Sequence, residues 1–221
     1  MKYFIALLLL CFTANNLQAQ IGIKAGLNFA NVTNASSVNN GNRTGFHVGL
    51  FLAPPSMGVL GYRSELIYSK QGYSYRSNTN TGNVNLDYLM FPNFMTINIT
   101  KFFQIQLGGQ MSVLLNAKAD SSTSSGTSGQ YSKTIDFINR FDYGYGGGIE
   151  VHPVSGLLIG ARINISLSNL YKNTATDVSN PGDEPSFIPK VDVKNNVFQV
   201  FAGWRFGKTT VPKAPANKPL M

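Results

Sequence analysis

Two histidines, His47 and His152, are the residues best suited to general-base chemistry near neutral pH. A hydrolytic site would also need a nucleophile within reach of such a base. Glu65 is the carboxylate expected to partner His47, and Ser64 and Ser69 lie close to it in sequence. Ser64 has the opposite parity to Glu65, so in a strand it points to the other face. His152 falls in a short Pro/Gly turn. His47 is therefore read as an interior histidine with a polar partner, not as a base. Asp87, Asp120, Asp136, Asp177, Asp183 and Glu184 sit in or near polar stretches. The Asp183-Glu184 pair lacks the further oxygen ligands of a calcium loop, and no zinc spacing occurs. Gly144 to Gly148 leads into no helix, so it is not a phosphate cradle. The expectation is no cofactor, no metal and no catalytic site.

Composition narrows the class. The 221 residues include 18 Lys+Arg, 10 Asp+Glu and a single cysteine, and only 13% are charged. A soluble domain averages about 25% charged residues. Gly (22), Phe (15) and Tyr (10) are used heavily. A disulfide scaffold, a coiled coil and a charge-rich disordered chain are excluded. Basic residues are not clustered with aromatics, so nucleic acid is not an expected partner.

Hydrophobic periodicity is two almost throughout. Ile21, Ile23, Leu27 and Phe29 alternate with Gly22, Lys24, Gly26 and Asn28. Phe46, Val48, Leu50 and Leu52 alternate with Gly45, His47, Gly49 and Phe51. The same holds for segments starting near Phe103, Phe141, Leu157 and Phe198, while Gly61–Tyr75 and Asn85–Ile99 are less regular. Pro92 cannot donate to a ladder, so a bulge or bend is expected there. These eight segments are long enough to cross a bilayer as tilted strands, which needs about 9–11 residues. Connections at 53–58, 100–101 and 152–156 are short. Those at 31–43, 74–84, 119–134 and 171–194 read as long and polar. Short turns at one end and long loops at the other characterise outer-membrane barrels. The expected fold is all-β: an eight-stranded antiparallel up-and-down transmembrane β-barrel.

Alternation alone does not say which face is inside, because a soluble barrel has the inverse arrangement. The polar face decides. It carries many glycines and few lysines or glutamates, which suits a narrow interior better than a wetted wall. The lumen is then expected to hold a polar ladder of His47, Arg63, Glu65, Arg140, Asp142, Glu150, Arg162 and Arg205. Buried charges need partners, so the ladder should be ion-paired, and the barrel plugged. Centring the turns on Ser56 and Val154 places His47 opposite Glu65, Gly49 opposite Arg63 and Gly146 opposite Arg162. Tyr62, Tyr68, Tyr88, Phe141, Tyr143, Tyr145, Phe198, Trp204 and Phe206 are expected in interfacial girdles.

The first residues read as an address. Lys2, an apolar run from Tyr3 to Phe12 and Ala19 before a processing site form a secretory signal over 1–19. Cys11 follows Leu10 rather than a small residue, so a lipoprotein reading is not preferred. The barrel is expected over 20–206. Residues 207–221, with Lys208, Lys213, Lys218, Pro212, Pro215 and Pro219, are expected to form a disordered periplasmic tail.

Several motifs together resemble a known family. Glu65-Leu66-Ile67-Tyr68-Ser69-Lys70-Gln71-Gly72 is similar to the third-strand motif of PorT-like outer-membrane β-barrel proteins, and Asp87-Tyr88-Leu89-Met90-Phe91-Pro92 to the fourth. Phe141 to Gly148, Gly160-Ala161-Arg162 with Ser166 to Asn169, and Phe198 to Phe206 resemble the last three strands. The resemblance implies a Gram-negative outer membrane but no common activity. It implies contact with outer-membrane lipid and with the barrel-assembly machinery, for which Phe206 would be the terminal aromatic signal. The stretch after Phe206 departs from that pattern.

The expected function is a non-enzymatic, porin-like protein without a wide pore. Its long loops would meet an extracellular or envelope protein partner. Two alternatives are a lipid or peptide hydrolase at the outer rim and a soluble secreted ligand-binding barrel.

Overall fold

The structure, a computed structural model, describes residues 20–33, 41–54, 56, 58–76, 80–123, 128–131, 138–172 and 193–206. Among the described residues there are nine strands: β1 (Gln20–Thr33), β2 (Gly41–Ala53), β3 (Leu60–Arg76), β4 (Asn80–Asn98), β5 (Phe103–Thr123), β6 (Ser128–Tyr131), β7 (Phe141–Val151), β8 (Leu157–Ser166) and β9 (Lys194–Arg205). All neighbours are antiparallel. β9 pairs with β1 and β4 with β5, so eight strands close into a ring. The short β6 extends the edge of β5 beyond the point where β7 pairs with it. The secretory signal expected at 1–19 and the tail expected at 207–221 lie outside the described residues.

The apolar rows face outward. Ile21, Ile23, Leu27 and Phe29 on β1 are exposed, as are Phe46, Val48, Leu50 and Leu52 on β2. Lys24, Asn28, His47, Glu65, Gln106, Arg162 and Gln199 face inward and are buried. An aqueous surface would reverse that sorting, because exposed apolar area is unfavourable in water and favourable in hydrocarbon. The soluble-barrel alternative is thereby overturned.

The greasy band has a definite height. On β1 it runs from Ile21 to Phe29 and gives way to Asn31 and Thr33. On neighbouring strands it ends at Thr44, Asn196 and the cross-strand pair Lys70–Asp87, whose charged atoms lie 4.0 Å apart. Roughly nine residues of tilted strand match one hydrocarbon thickness. β4 has 19 residues and β5 has 21, so both continue past the band at the end opposite the short turns. The stretch 74–84 expected as a long loop is therefore mostly paired strand, with Tyr75 opposite Gly82 and Arg76 opposite Thr81.

Aromatics border the band. Tyr62, Phe102, Trp204 and Phe206 are exposed near the short turns. Phe29 packs on Phe198 and Phe46 on Tyr68 near the other border, with ring centroids 6.2 Å and 6.3 Å apart. Phe141, Tyr143 and Tyr145 join this wall. Tyr88 does not; it lies inside and is 1% exposed.

Register differs from the expectation in both hairpins. His47 lies opposite Ser69, Gly49 opposite Ile67, and Glu65 opposite Phe51. Gly148, not Gly146, faces Arg162. The chain turns at glycines of positive φ, Gly58 (76°) and Gly156 (92°), which place each hairpin pivot later than the midpoint of the turn. At Pro92 the β4 register holds, but its ladder to β3 lapses between Ser64–Asn93 and Ile67–Met90. The true bulge lies at Asp87/Tyr88, where β5 carries an extra residue. It lets Leu114 and Ala117 both face inward while Leu115 points out.

Candidate functional site

The lumen is filled in layers. At mid-height Glu65 accepts from Lys24 Nζ at 2.7 Å and from the two terminal Arg162 nitrogens at 2.7 and 2.9 Å. Glu150 receives Arg63 through two nitrogens at 2.5 and 2.8 Å. Gln106 joins the two groups: it donates to Glu150 at 2.8 Å and accepts from Arg162 at 2.6 Å. Charge-assisted hydrogen bonds of this kind are the strongest a protein makes. Aromatic faces supply the remaining walls. Phe94 lies 4.0 Å from the Arg162 guanidinium carbon, Phe51 4.7 Å from that of Arg63, and Phe201 4.3 Å from Lys24 Nζ. Cations buried against ring faces keep a favourable interaction where water is absent.

Small residues make room for these groups. A Cβ on Gly22 would lie 2.0 Å from the Phe51 ring, and one on Gly160 would lie 2.6 Å from the Phe201 ring. Glycines on β1 and β8 thus seat the aromatics that cover the arginines.

Above the ionic layer the polar groups are neutral. His47 Nδ1 lies 2.8 Å from Asn28 Oδ1, which also accepts Gln199 Nε2 at 2.9 Å. Asn28 donates to Ser69 at 2.9 Å, and Asn164 donates to Gln199 at 2.8 Å. The partner of His47 is therefore Asn28 rather than Glu65, because the β2–β3 register carries Glu65 away to Phe51.

The far end of the lumen is apolar. Tyr73, Tyr75, Val84, Leu86, Tyr88, Leu114, Ile138 and Tyr171 pack into one buried cluster. Tyr73 and Tyr171 share a hydroxyl–hydroxyl hydrogen bond, and burial raises the Tyr171 phenol above its ordinary range. At the margin of this cluster Asp142 accepts hydrogen bonds from Ser112, Ser166 and Ser168.

The residues expected in the ladder have these positions. His47, Arg63, Glu65, Asp142, Glu150 and Arg162 are buried inside. Arg205 is half-buried at the short-turn end, with nitrogens 3.4 Å from Gln20 and from His152. Arg140 is a correction. It lies exposed at a bend before β7, where the strand has not begun and alternation has no meaning. Phe206 is exposed on the outer wall at the end of β9. Asp136, Asp177, Asp183 and Glu184 lie outside the described residues. Lys24, Phe51, Phe94 and Phe201 were absent from the expected ladder. Lys24, Phe51 and Phe201 did carry a signal: each occupies the polar phase of its strand.

No curated protein matches the sequence. Among solved structures the chain is similar to Ail, the attachment invasion locus protein of Yersinia pestis, at 16% identity and TM-score 0.48, covering 85% of this chain and 99% of that one. It is similar to Neisserial surface protein A at 13% identity and TM-score 0.46, with the same coverage of 85% and 99%. Similarity to OprG from Pseudomonas aeruginosa has 9% identity and TM-score 0.34, covering 86% and 95%. The family model for the outer membrane protein beta-barrel domain matches residues 13–172, a stretch that contains β1 to β8. With that match over most of a closed ring whose greasy side faces out, the chain belongs to the outer membrane protein beta-barrel domain family, and its location is the cell outer membrane.

Proposed function

We propose that this protein is a sealed, non-enzymatic barrel that displays its long connections at the cell surface to an extracellular or envelope protein partner. One observation carries the reading: ionic, neutral polar and apolar layers fill the lumen in succession, and the largest buried side chains there are Arg63 and Arg162. A solute would have to break the Glu65 and Glu150 ion pairs and then pass the tyrosine cluster. The first step alone costs about 3–5 kcal/mol, the scale of parting a buried ion pair. The absence of a route inside leaves the outer surface and the two ends as places for function.

The same layers argue against the rim-hydrolase reading. His47 is 1% exposed and lies between the ionic layer and the apolar cluster, out of reach of lipid or peptide. Within the family, a PorT-like subtype accounts for the motifs best. The motif segments supply Glu65, Asp142, Arg162, Gln199 and Phe201 to the interior, so their spacing follows from lumen packing. A cleaved signal over 1–19, insertion by the barrel-assembly machinery through Phe206, and a periplasmic tail at 207–221 complete the proposal.

Planar-bilayer recording of the refolded protein tests it. The expected result is no stepwise conductance. Steady channel openings would overturn the sealed lumen. Cell-surface pull-down with loop-deleted variants that keep the barrel then tests whether partner capture depends on the long connections.

A further inference from the structure

The short-turn end holds a vestibule of about 590 Å³ that the sealed-barrel reading does not use. Volumes of this order accept a small organic molecule. Arg63, Lys101, His152 and Arg205 line it, and among the described lining residues there is no aspartate or glutamate. Glu150 lies behind the wall and is committed: it holds Arg63 by two bonds and His152 Nε2 at 3.1 Å.

Arg205 is poorly matched by comparison. Among the described residues its nearest acceptors, on Gln20 and His152, are at 3.4 Å, and its closest carboxylate oxygen is at 3.9 Å. Charge-assisted bonds normally measure about 2.7–2.9 Å. The Nε atoms of Arg205 and Arg63 are buried and make no hydrogen bond. The Arg205 side chain is 18% exposed at the edge of the cavity and has only long contacts, and such a fork is suited to a planar or tetrahedral oxyanion. His152 fits the same picture. One tautomer donates from Nε2 to Glu150 at 3.1 Å, which leaves Nδ1 as an acceptor facing Arg205 at 3.4 Å. At the mouth, exposed Lys101 adds a second cation, with Nζ 4.8 Å from the Phe102 ring centroid. Tyr62, Phe102 and Val154 provide apolar wall.

We propose that this vestibule binds a small organic oxyanion, a carboxylate or phosphate on a compact apolar body, entering from the periplasmic side. Arg205 grips the anionic head, and Lys101 draws it to the mouth. A soluble anion and the head of an acidic lipid share this chemistry, so both sources enter the test.

The full chain, refolded in an uncharged maltoside detergent, is titrated calorimetrically with benzoate, phenyl phosphate and dihexanoyl phosphatidate. Benzyl alcohol is the uncharged control. The expected result is saturable binding of at least one anion, weakened by added salt, with no saturation by benzyl alcohol. The arm that saturates identifies the source. Arg205→Gln should weaken binding at least tenfold and Lys101→Gln roughly threefold, as loss of one partly buried and one exposed charge contact implies. Heat-modifiable gel mobility verifies folding of each variant. If Arg205→Gln does not fold, Lys101→Gln, a change at an exposed turn residue, decides alone. The proposal is overturned if no anion saturates, if benzyl alcohol binds as well as benzoate, or if every folded variant binds like the parent.

Discussion

Replacing Glu65 by glutamine keeps the shape of the side chain and removes its charge. In the parent, that carboxylate faces Lys24 Nζ at 2.7 Å, two Arg162 nitrogens at 2.7 and 2.9 Å, and Arg63 at 4.0 Å. Both Glu65 and its Lys24 and Arg162 partners have side chains with 0% exposure. The glutamine amide has one acceptor oxygen left, and its NH2 group would point at a cation that can only donate. Lys24 and Arg162 would then lose the carboxylate they share, while Arg63 keeps Glu150. Uncompensated buried charge of this kind costs about 3–5 kcal/mol. Urea unfolding in lipid vesicles measures it, read by gel mobility and by fluorescence of Trp204, the single tryptophan, which is 44% exposed on the outer wall. Adding Lys24→Met to Glu65→Gln removes one orphaned cation, so the double variant should be more stable than the sum of the single effects by about 1 kcal/mol or more. The reasoning is refuted if Glu65→Gln costs under about 0.5 kcal/mol, the scale of an ordinary surface change, or if the two substitutions add.

Gly22→Ala should destabilise by about 1–3 kcal/mol, because its Cβ would press into the Phe51 ring that covers Arg63; Gly109→Ala, with no atom closer than 3.8 Å, should be neutral or mildly stabilising in the same unfolding assay. On the outer wall, Val48→Arg near mid-band should cost about 2–4 kcal/mol, whereas Thr44→Arg at the border should cost roughly 0–1 kcal/mol; equal costs would remove the bilayer from the explanation. His47→Ala should cost about 1–3 kcal/mol by stripping Asn28 of a partner, while assays with lipid and peptide substrates return no turnover for parent or variant; turnover lost in His47→Ala alone would restore the rim-hydrolase reading.

The sequence by itself determined which face of each regular strand is greasy, which end carries the short turns, and that the polar face was too rich in glycine to be a wetted wall. These follow from a period of two, which survives any mistake about where a turn pivots. Moving a hairpin centre by one residue shifts the register by two, so Arg162 trades Gly146 for Gly148 and stays inside. Parity fails only where the ladder is broken or absent. Arg140 precedes its strand, and the bulge opposite Asp87/Tyr88 resets the phase of β5. Only the tertiary structure decided the partners. Glu65 on β3 meets Lys24 on β1 and Arg162 on β8, and Arg63 on β3 meets Glu150 on β7. Those contacts cross the lumen between strands that share no ladder. Their pairing depends on how the ring closes and on how far its strands are staggered, and no local pattern along the chain encodes that stagger.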